Sequence, residues 1–361
     1  MTYPVTDQQL HEKLKSQPVL ITGADGFVGS HLTEKLLELG AHVHVLVRPT
    51  SSGMLHNIGH IRTKIVTHRG DLTDKQAISV ALKALKTDGG KPYIFHLGAQ
   101  AHVGESWDRP YETLATNVLG TINLLQSVVD VGLQVERIDV AGSSEEYGNI
   151  REDVRQLYKF DEKGGLILDE TSPLNPQSVY ATSKVAADFL TRNYFKSYGL
   201  PTIVTRMFNN YGPRQNPRFI TGTIITQALC RDVVNLGFVD SKRDFCFVKD
   251  GARGHIHVTL YGNPGETYVY GYGQNVTILE WYNMIIEIGR EEGLWKEKEL
   301  KINQENRSRL GNSEVMELRV GYDKINKLTG WKPEFSWRDG LRETIRWFCD
   351  NRPVWIGRVD W

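Results

Sequence analysis

The sequence predicts an α/β fold, a doubly wound parallel sheet with a smaller C-terminal lobe, and three observations carry that prediction. An apolar run at residues 18–21 ends in Thr22-Gly23-Ala24-Asp25-Gly26-Phe27-Val28-Gly29, and residues 30–39 then show helical periodicity that stops at Gly40. Further apolar runs alternate with helical stretches, as in a parallel sheet covered on both faces. Beyond Gly212 the alternation loosens, with Gly271-Tyr272-Gly273 and Gly330-Trp331-Lys332-Pro333 as punctuation.

Taken in order, residues 41–47 read as a second strand and 64–67 as a weak third, leading to Gly70-Asp71-Leu72-Thr73-Asp74. Residues 93–97 form a fourth strand and 117–131 a helix. A fifth strand, 137–141, runs into Gly142-Ser143-Ser144-Glu145, and 203–206 is a sixth. Residues 150–169, charged and irregular, read as a surface loop over the site. The expected division is 1–212, mainly dinucleotide-binding, and 213–361, mainly substrate-binding, with the chain crossing between the lobes.

Bulk properties exclude several classes. Across 361 residues, 43 Lys and Arg balance 43 Asp and Glu, with no charged run suited to nucleic acid. No uninterrupted stretch of roughly 18 apolar residues occurs, so no membrane partner is expected. Residues 1–15 are polar and lack an apolar signal core. Cys230, Cys246 and Cys349 are scattered, which points to reduced thiols, a cytoplasmic setting and no metal site.

The glycine turn suits a dinucleotide. Gly23 permits the tight turn, Gly26 lets backbone approach a pyrophosphate, and Gly29 lets helix and strand pack closely. The helix opened by Phe27 and Val28 offers free N–H groups to the anion. Arg48 stands where an acid would hold the adenine ribose; a cation there favours a 2′-phosphate, hence NADP slightly over NAD, although a solvated arginine fits almost equally well. Asp71 and Leu72 are placed to flank the adenine.

Tyr180-Ala181-Thr182-Ser183-Lys184 puts a phenol and an ammonium one helical turn apart, and the cation is expected to lower the phenol pKa. Ser143, just beyond a parallel strand, can hydrogen-bond the same sugar oxygen that Tyr180 deprotonates. Glu145 offers a general base for a C–H proton. Glu146 reads as a bland loop carboxylate and His102 as structural.

The set Thr22-Gly23-x-x-Gly26-x-x-Gly29, Asp71-Leu72, Ser143 and Tyr180-x-x-x-Lys184 resembles the extended short-chain dehydrogenase/reductase superfamily, with its Rossmann-type sheet, over nearly the whole chain. Within it, Ser143-Ser144-Glu145-x-Tyr147-Gly148 is similar to the Thr-Ser-Glu-x-Tyr-Gly signature of nucleotide-sugar 4,6-dehydratases. His44-Val45-Leu46-Val47-Arg48 and Ala99-Gln100-Ala101-His102-Val103-Gly104 look most like the GDP-mannose enzymes. The second half departs from them: Phe208-Asn209-Asn210-Tyr211-Gly212-Pro213-Arg214 and Arg243-Asp244-Phe245 are closer to dehydratases of other nucleotide sugars.

The resemblance implies a tightly bound, recycled NADP or NAD and a catalytic set of Ser143, Glu145, Tyr180 and Lys184. It implies a GDP-mannose-like substrate as first expectation, with Ser144 where some relatives carry an acidic aspartate. Asn209 is expected at a phosphate, and Arg243 and Arg309 on the diphosphate. A homodimer is expected, with a tetramer as the alternative; Ala186, Ala187 and Phe189 are offered as a dimer face. Competing readings are a 4-epimerase, a UDP-glucuronate decarboxylase and a non-catalytic NAD(P)-binding sensor.

Overall fold

The computed structural model describes residues 4–49, 54–302 and 313–359. Its centre is a seven-stranded parallel sheet of β1 (Pro18–Thr22), β2 (His42–Val47), β3 (Val66–Arg69), β4 (Tyr93–His96), β5 (Arg137–Ala141), β6 (Thr202–Met207) and β7 (Thr267–Tyr270), in the order 7-6-5-4-1-2-3. β1 lies inside the sheet and every residue of it is buried, which is why its sequence is an unbroken apolar run. The order reverses between β1 and β4, and in such sheets the ligand crevice opens at the carboxyl ends beside that point.

The sheet is covered on both faces by α1 (Phe27–Glu38), α2 (Lys75–Thr87), α3 (Pro110–Val131), α4 (Val179–Tyr198) and α5 (Val248–Tyr261). Leu32 and Leu36 of α1 pack with Ala252, Ile256 and Leu260 of α5 over β1 and β2. Ile78 and Leu82 of α2 pack with Leu124 and Val128 of α3 on the other face. By length and composition alone α3, with 22 residues, could cross a membrane. Its buried polar side chains tie it to the protein instead: Asn117 donates to Ser183 Oγ at 2.8 Å, and Thr121 Oγ1 lies 3.1 Å from His96 Nε2. A single π turn, Ala115–Leu119, accommodates this bonding.

The smaller lobe is held by an aromatic core in which Phe245 stacks on Trp281 at 4.1 Å between ring centres and Tyr211 meets Trp281 edge-on. The chain leaves the sheet after β6, returns as α5 and β7, and leaves again at Ile278–Glu291. The sequence reading misses β7, four residues long and lying beyond residue 212. It also sets the third strand two residues early, because Lys64 ends a 3-10 turn, Gly59–Lys64.

Residues 150–169 are not a loop over the site. Tyr158, Leu166 and Leu168, spaced among the charges, insert beside Tyr147, Phe208 and Val320, and a small hairpin pairs Lys159–Phe160 with Leu166–Ile167.

Candidate functional site

A cleft of about 530 Å³ opens between the sheet and the smaller lobe. Its floor is made by segments following β1, β4, β5 and β6, including Gly23, Gly98, Gly142 and Asn209; Phe219, Leu236, Arg243 and Phe245 face them from the lobe.

The glycine turn is built for close approach. Gly23 has φ +74°, and a Cβ there would lie 2.7 Å from the Gly98 nitrogen. A Cβ on Gly29 would fall 2.2 Å from the Gly23 oxygen, so neither position accepts a side chain without moving backbone. Gly26 caps α1 without any side-chain hydrogen bond, leaving the first-turn N–H groups for a ligand. Asp25 accepts from the backbone of His56 at 2.9 Å and Asn57 at 2.7 Å, which fastens the following loop against the turn.

Below the turn, Thr22 Oγ1 lies 2.7 Å from His96 Nδ1. Burial drives the His96 pKa down to about 3, so the ring is a neutral link between β1, β4 and α3.

Ser143 caps the short turn Ser144–Glu146, its Oγ accepting from the Glu145 nitrogen at 3.2 Å. Ser143, Ser144, Glu145 and Tyr180 all line the cleft and all are buried, so the hydroxyl, carboxylate and phenol expected to act together do share one space. Tyr180 enters at the start of α4, where Ser178 caps the helix by accepting from the Ala181 nitrogen at 3.0 Å.

One electrostatic expectation is overturned. Burial raises the Tyr180 pKa; a hydrogen bond with Ser143 opposes this, and Glu145 and Glu146 reinforce it. Lys184 does not reach the phenol as a hydrogen-bond donor: its Nζ donates to the Ala141 carbonyl at 2.8 Å, behind the cleft. Burial lowers the lysine pKa to about 8, against the pull of Glu146.

Glu146 is no bland loop carboxylate. It accepts from the Ser143 nitrogen at 2.7 Å and pairs with Arg206 at 3.2 Å. Arg206 also pairs with Asp188 of α4 at 2.8 Å and donates to the Tyr147 hydroxyl at 3.1 Å. This buried network joins β6, α4 and the Ser143 turn, and so sets Ser143 against Tyr180.

The remaining residues divide. Asn209 and Arg243 line the cleft, and the Arg243 guanidinium donates to Glu314 Oε1 at 3.0 Å. Arg309 lies outside the described residues. Arg48 is exposed beyond the end of β2, and neither it nor Asp71 or Leu72 belongs to the cleft wall. Burial of Asp71 would raise its pKa, but hydrogen bonds from Thr73 and the charge of Arg48 outweigh that and lower it. Leu72 packs into the core, and a Cβ on Gly98 would come within 2.8 Å of its side chain. His102 accepts from the Glu105 nitrogen at 3.0 Å and packs edge-on against Phe219, and both rings line the cleft. Ala187, offered as dimer face, is buried within the subunit.

Sequence reasoning misses Asn210 and Gln215. Both line the cleft, and the buried carbonyl oxygens of Asn209, Asn210 and Gln215 lack hydrogen-bond partners. Buried polar atoms are rarely left so, and here they suit a polar ligand. With the side-chain-free glycine cradle, the residues present fit a dinucleotide and a second polar ligand beside it.

Comparison with known proteins agrees with this geometry. A family profile described as GDP-mannose 4,6 dehydratase matches residues 20–344. The GDP-mannose 4,6-dehydratase of Yersinia enterocolitica is 34% identical over 73% of this chain and 70% of its own. The dTDP-glucose 4,6-dehydratase of Neisseria meningitidis serogroup B is 28% identical over 93% of this chain and 94% of its own. Among solved structures, DesIV, a dTDP-glucose 4,6-dehydratase from Streptomyces venezuelae crystallised with NAD, superposes with a TM-score of 0.80 at 29% identity, covering 95% of this chain and all of that one. On the extent of these matches, the chain belongs to the GDP-mannose 4,6 dehydratase family, within the nucleotide-sugar 4,6-dehydratase enzymes of the extended short-chain dehydrogenase/reductase superfamily.

Proposed function

We propose that this protein converts a nucleoside-diphosphate hexose into its 4-keto-6-deoxy derivative with loss of one water, and that GDP-mannose is the substrate to expect first. The observation that carries the reading is the meeting of Ser143, Glu145 and Tyr180 in one cleft beside the glycine cradle. Tyr180 takes the proton of the sugar 4-hydroxyl, and Ser143 holds that oxygen. Held at the Gly23–Gly29 turn, an oxidised nicotinamide would supply the hydride acceptor for C4 and, once reduced, the hydride donor for C6. The resulting 4-ketone acidifies the C5 proton, which Glu145 removes while the C6 hydroxyl departs. Ser144 cannot act as an acid at neutral pH, so Glu145 passes the proton to the departing hydroxyl, takes a new proton from solvent and delivers it to C5 as C6 receives hydride.

Two observations bear on the substrate. The likeness of residues 44–48 and 99–104 to the GDP-mannose enzymes favours GDP-mannose, whereas relatives matching more than nine-tenths of the chain act on dTDP-glucose, which makes that sugar the second reading. An epimerase would leave Glu145 without a task.

The test is mass spectrometry after incubation with GDP-mannose, dTDP-glucose, CDP-glucose, UDP-N-acetylglucosamine and UDP-glucuronate. Loss of water from GDP-mannose is the expected result. Loss from dTDP-glucose alone overturns the sugar assignment; loss of carbon dioxide from UDP-glucuronate, or unchanged mass throughout, overturns the dehydratase. The same run identifies the dinucleotide released on denaturation. The charge of Arg48 supports NADP, and NAD alone overturns that preference.

We propose further that two copies associate through α3 and α4, in a reducing compartment such as the cytoplasm. Tyr111 is 87% exposed, Leu119 55% and Phe189 50%, an apolar set that a partner would cover. Sedimentation equilibrium is expected to return twice the chain mass, and a monomer shifted to dimer by no concentration tested rejects the pairing. The three unpaired thiols support the compartment.

A further inference from the structure

β2 opens with His42-Val43-His44 at its amino end, away from the carboxyl ends that floor the cleft. The pleat puts both histidines on one face of the strand. His44 is buried and the His42 side chain is 48% exposed. Asp88, closing α2, brings Oδ2 to 3.3 Å from His42 Nδ1 and 2.5 Å from His44 Nε2. One atom from each of these three residues lies within 4.8 Å of the other two.

A third histidine completes the group. His68 of β3 places Nε2 3.0 Å from His44 Nδ1, and the two rings stack. The buried His44 Nε2 faces Asp88 Oδ2 directly, so a carboxylate oxygen and two imidazole nitrogens converge at the start of β2. Burial lowers the pKa of His44 and of His68; the Asp88 charge opposes this in both, and for His44 the neighbouring rings of His68 and His42 add to the lowering. Neutral imidazole is the form that ligates a metal, and a carboxylate faces the buried His44 ring and the half-exposed His42 ring.

We propose that His42, His44 and Asp88 bind one divalent transition-metal ion of the zinc class, through Nδ1, Nε2 and Oδ2 respectively. Two imidazoles and a carboxylate are ligand types that zinc accepts, and a water would supply the fourth position of its tetrahedron. His68 is the outer partner: by occupying His44 Nδ1 it directs Nε2 toward the ion. Metal–ligand bonds of about 2.0–2.2 Å place adjacent ligand atoms roughly 3.3–3.5 Å apart. The His42–Asp88 spacing already meets this, and the partly exposed Asp88 needs to withdraw by about 1 Å from His44. The ion would clip the start of β2 to the end of α2. None of these residues lines the cleft, so the site is separate from the sugar chemistry. Its sequence signal is weak, since a His-x-His pair and an aspartate 44 positions later share no motif.

The experiment titrates zinc chloride into the full chain by calorimetry and repeats the titration with cobalt(II) in the visible. Expected are one saturable ion per chain, a tetrahedral cobalt spectrum without a thiolate charge-transfer band, and a melting temperature raised by about 2–5 °C in excess zinc. His42→Gln and Asp88→Asn should each weaken binding at least about tenfold, and His68→Gln about tenfold, with correspondingly smaller thermal shifts. Undiminished affinity in the His42→Gln/Asp88→Asn double variant overturns the proposal by placing the ion elsewhere. In the unmodified protein, absence of both a zinc-dependent melting shift and a tetrahedral cobalt spectrum overturns it whether or not the variants fold.

Discussion

Glu145→Gln is expected to lower the rate of water loss by about 10²–10⁴-fold while oxidation at C4 persists. The amide keeps the shape of the side chain but cannot take a proton from C5. The usual division of labour, one carboxylate as base and another as acid, is closed to this site because Ser144 stands beside Glu145. A single group therefore carries the proton from C5 to the departing C6 hydroxyl, and one substitution removes both ends of that transfer. Product mass separates the steps: in a single turnover the variant should yield up to one equivalent of a nucleotide sugar lighter by two hydrogens, with the dinucleotide left reduced, whereas the parent yields one lighter by water. Deuterium from heavy water should enter C5 with the parent and not with the variant. Undiminished water loss would remove Glu145 from the mechanism and point to another cleft residue as the base.

How much of this was legible beforehand depends on how far apart the cooperating residues lie. Gly23, Gly26 and Gly29 reveal themselves because backbone crowding leaves no alternative: a Cβ on Gly29 would meet the Gly23 oxygen at 2.2 Å. Five strands of the central sheet are apolar enough to be read directly; β3, Val-Thr-His-Arg and largely exposed, is read two residues early, and β7 is four residues long and follows a helix whose faces are mostly buried. Tyr180 and Lys184 share a spacing, and the spacing misleads about their contact. One helical turn puts them on the same side of α4, yet the lysine reaches back to Ala141. The network that orients Ser143 was hidden, since Glu146, Asp188 and Arg206 are joined only once β6 and α4 pack together. Asn210 and Gln215 carry no motif, and only the cleft shows their carbonyl oxygens to be unsatisfied.

Tyr180→Phe is expected to reduce turnover by about 10²–10⁴-fold without loss of folding, because the ring remains packed and only the acid–base oxygen is lost. The harder question is what Lys184 contributes, since it touches a carbonyl rather than the phenol. Burial raises the Tyr180 pKa, so a phenolate in this cleft needs positive charge nearby, and Lys184 is the basic side chain one turn along the same helix. Its own pKa is lowered to about 8 by the same burial. The sign follows: the ammonium is complete well below pH 8 and disappears as pH rises through that value. If its charge assists Tyr180, kcat/KM falls above about pH 8, although a lone phenol losing its proton would make the rate climb. Lys184→Met should then abolish the falling limb and most of the rate together. If the lysine serves only to brace Ala141, the parent shows no fall near pH 8 and the variant loses stability without changing the shape of the pH profile. The pH profile thus separates an electrostatic lysine from a structural one, where a single rate at neutral pH would not.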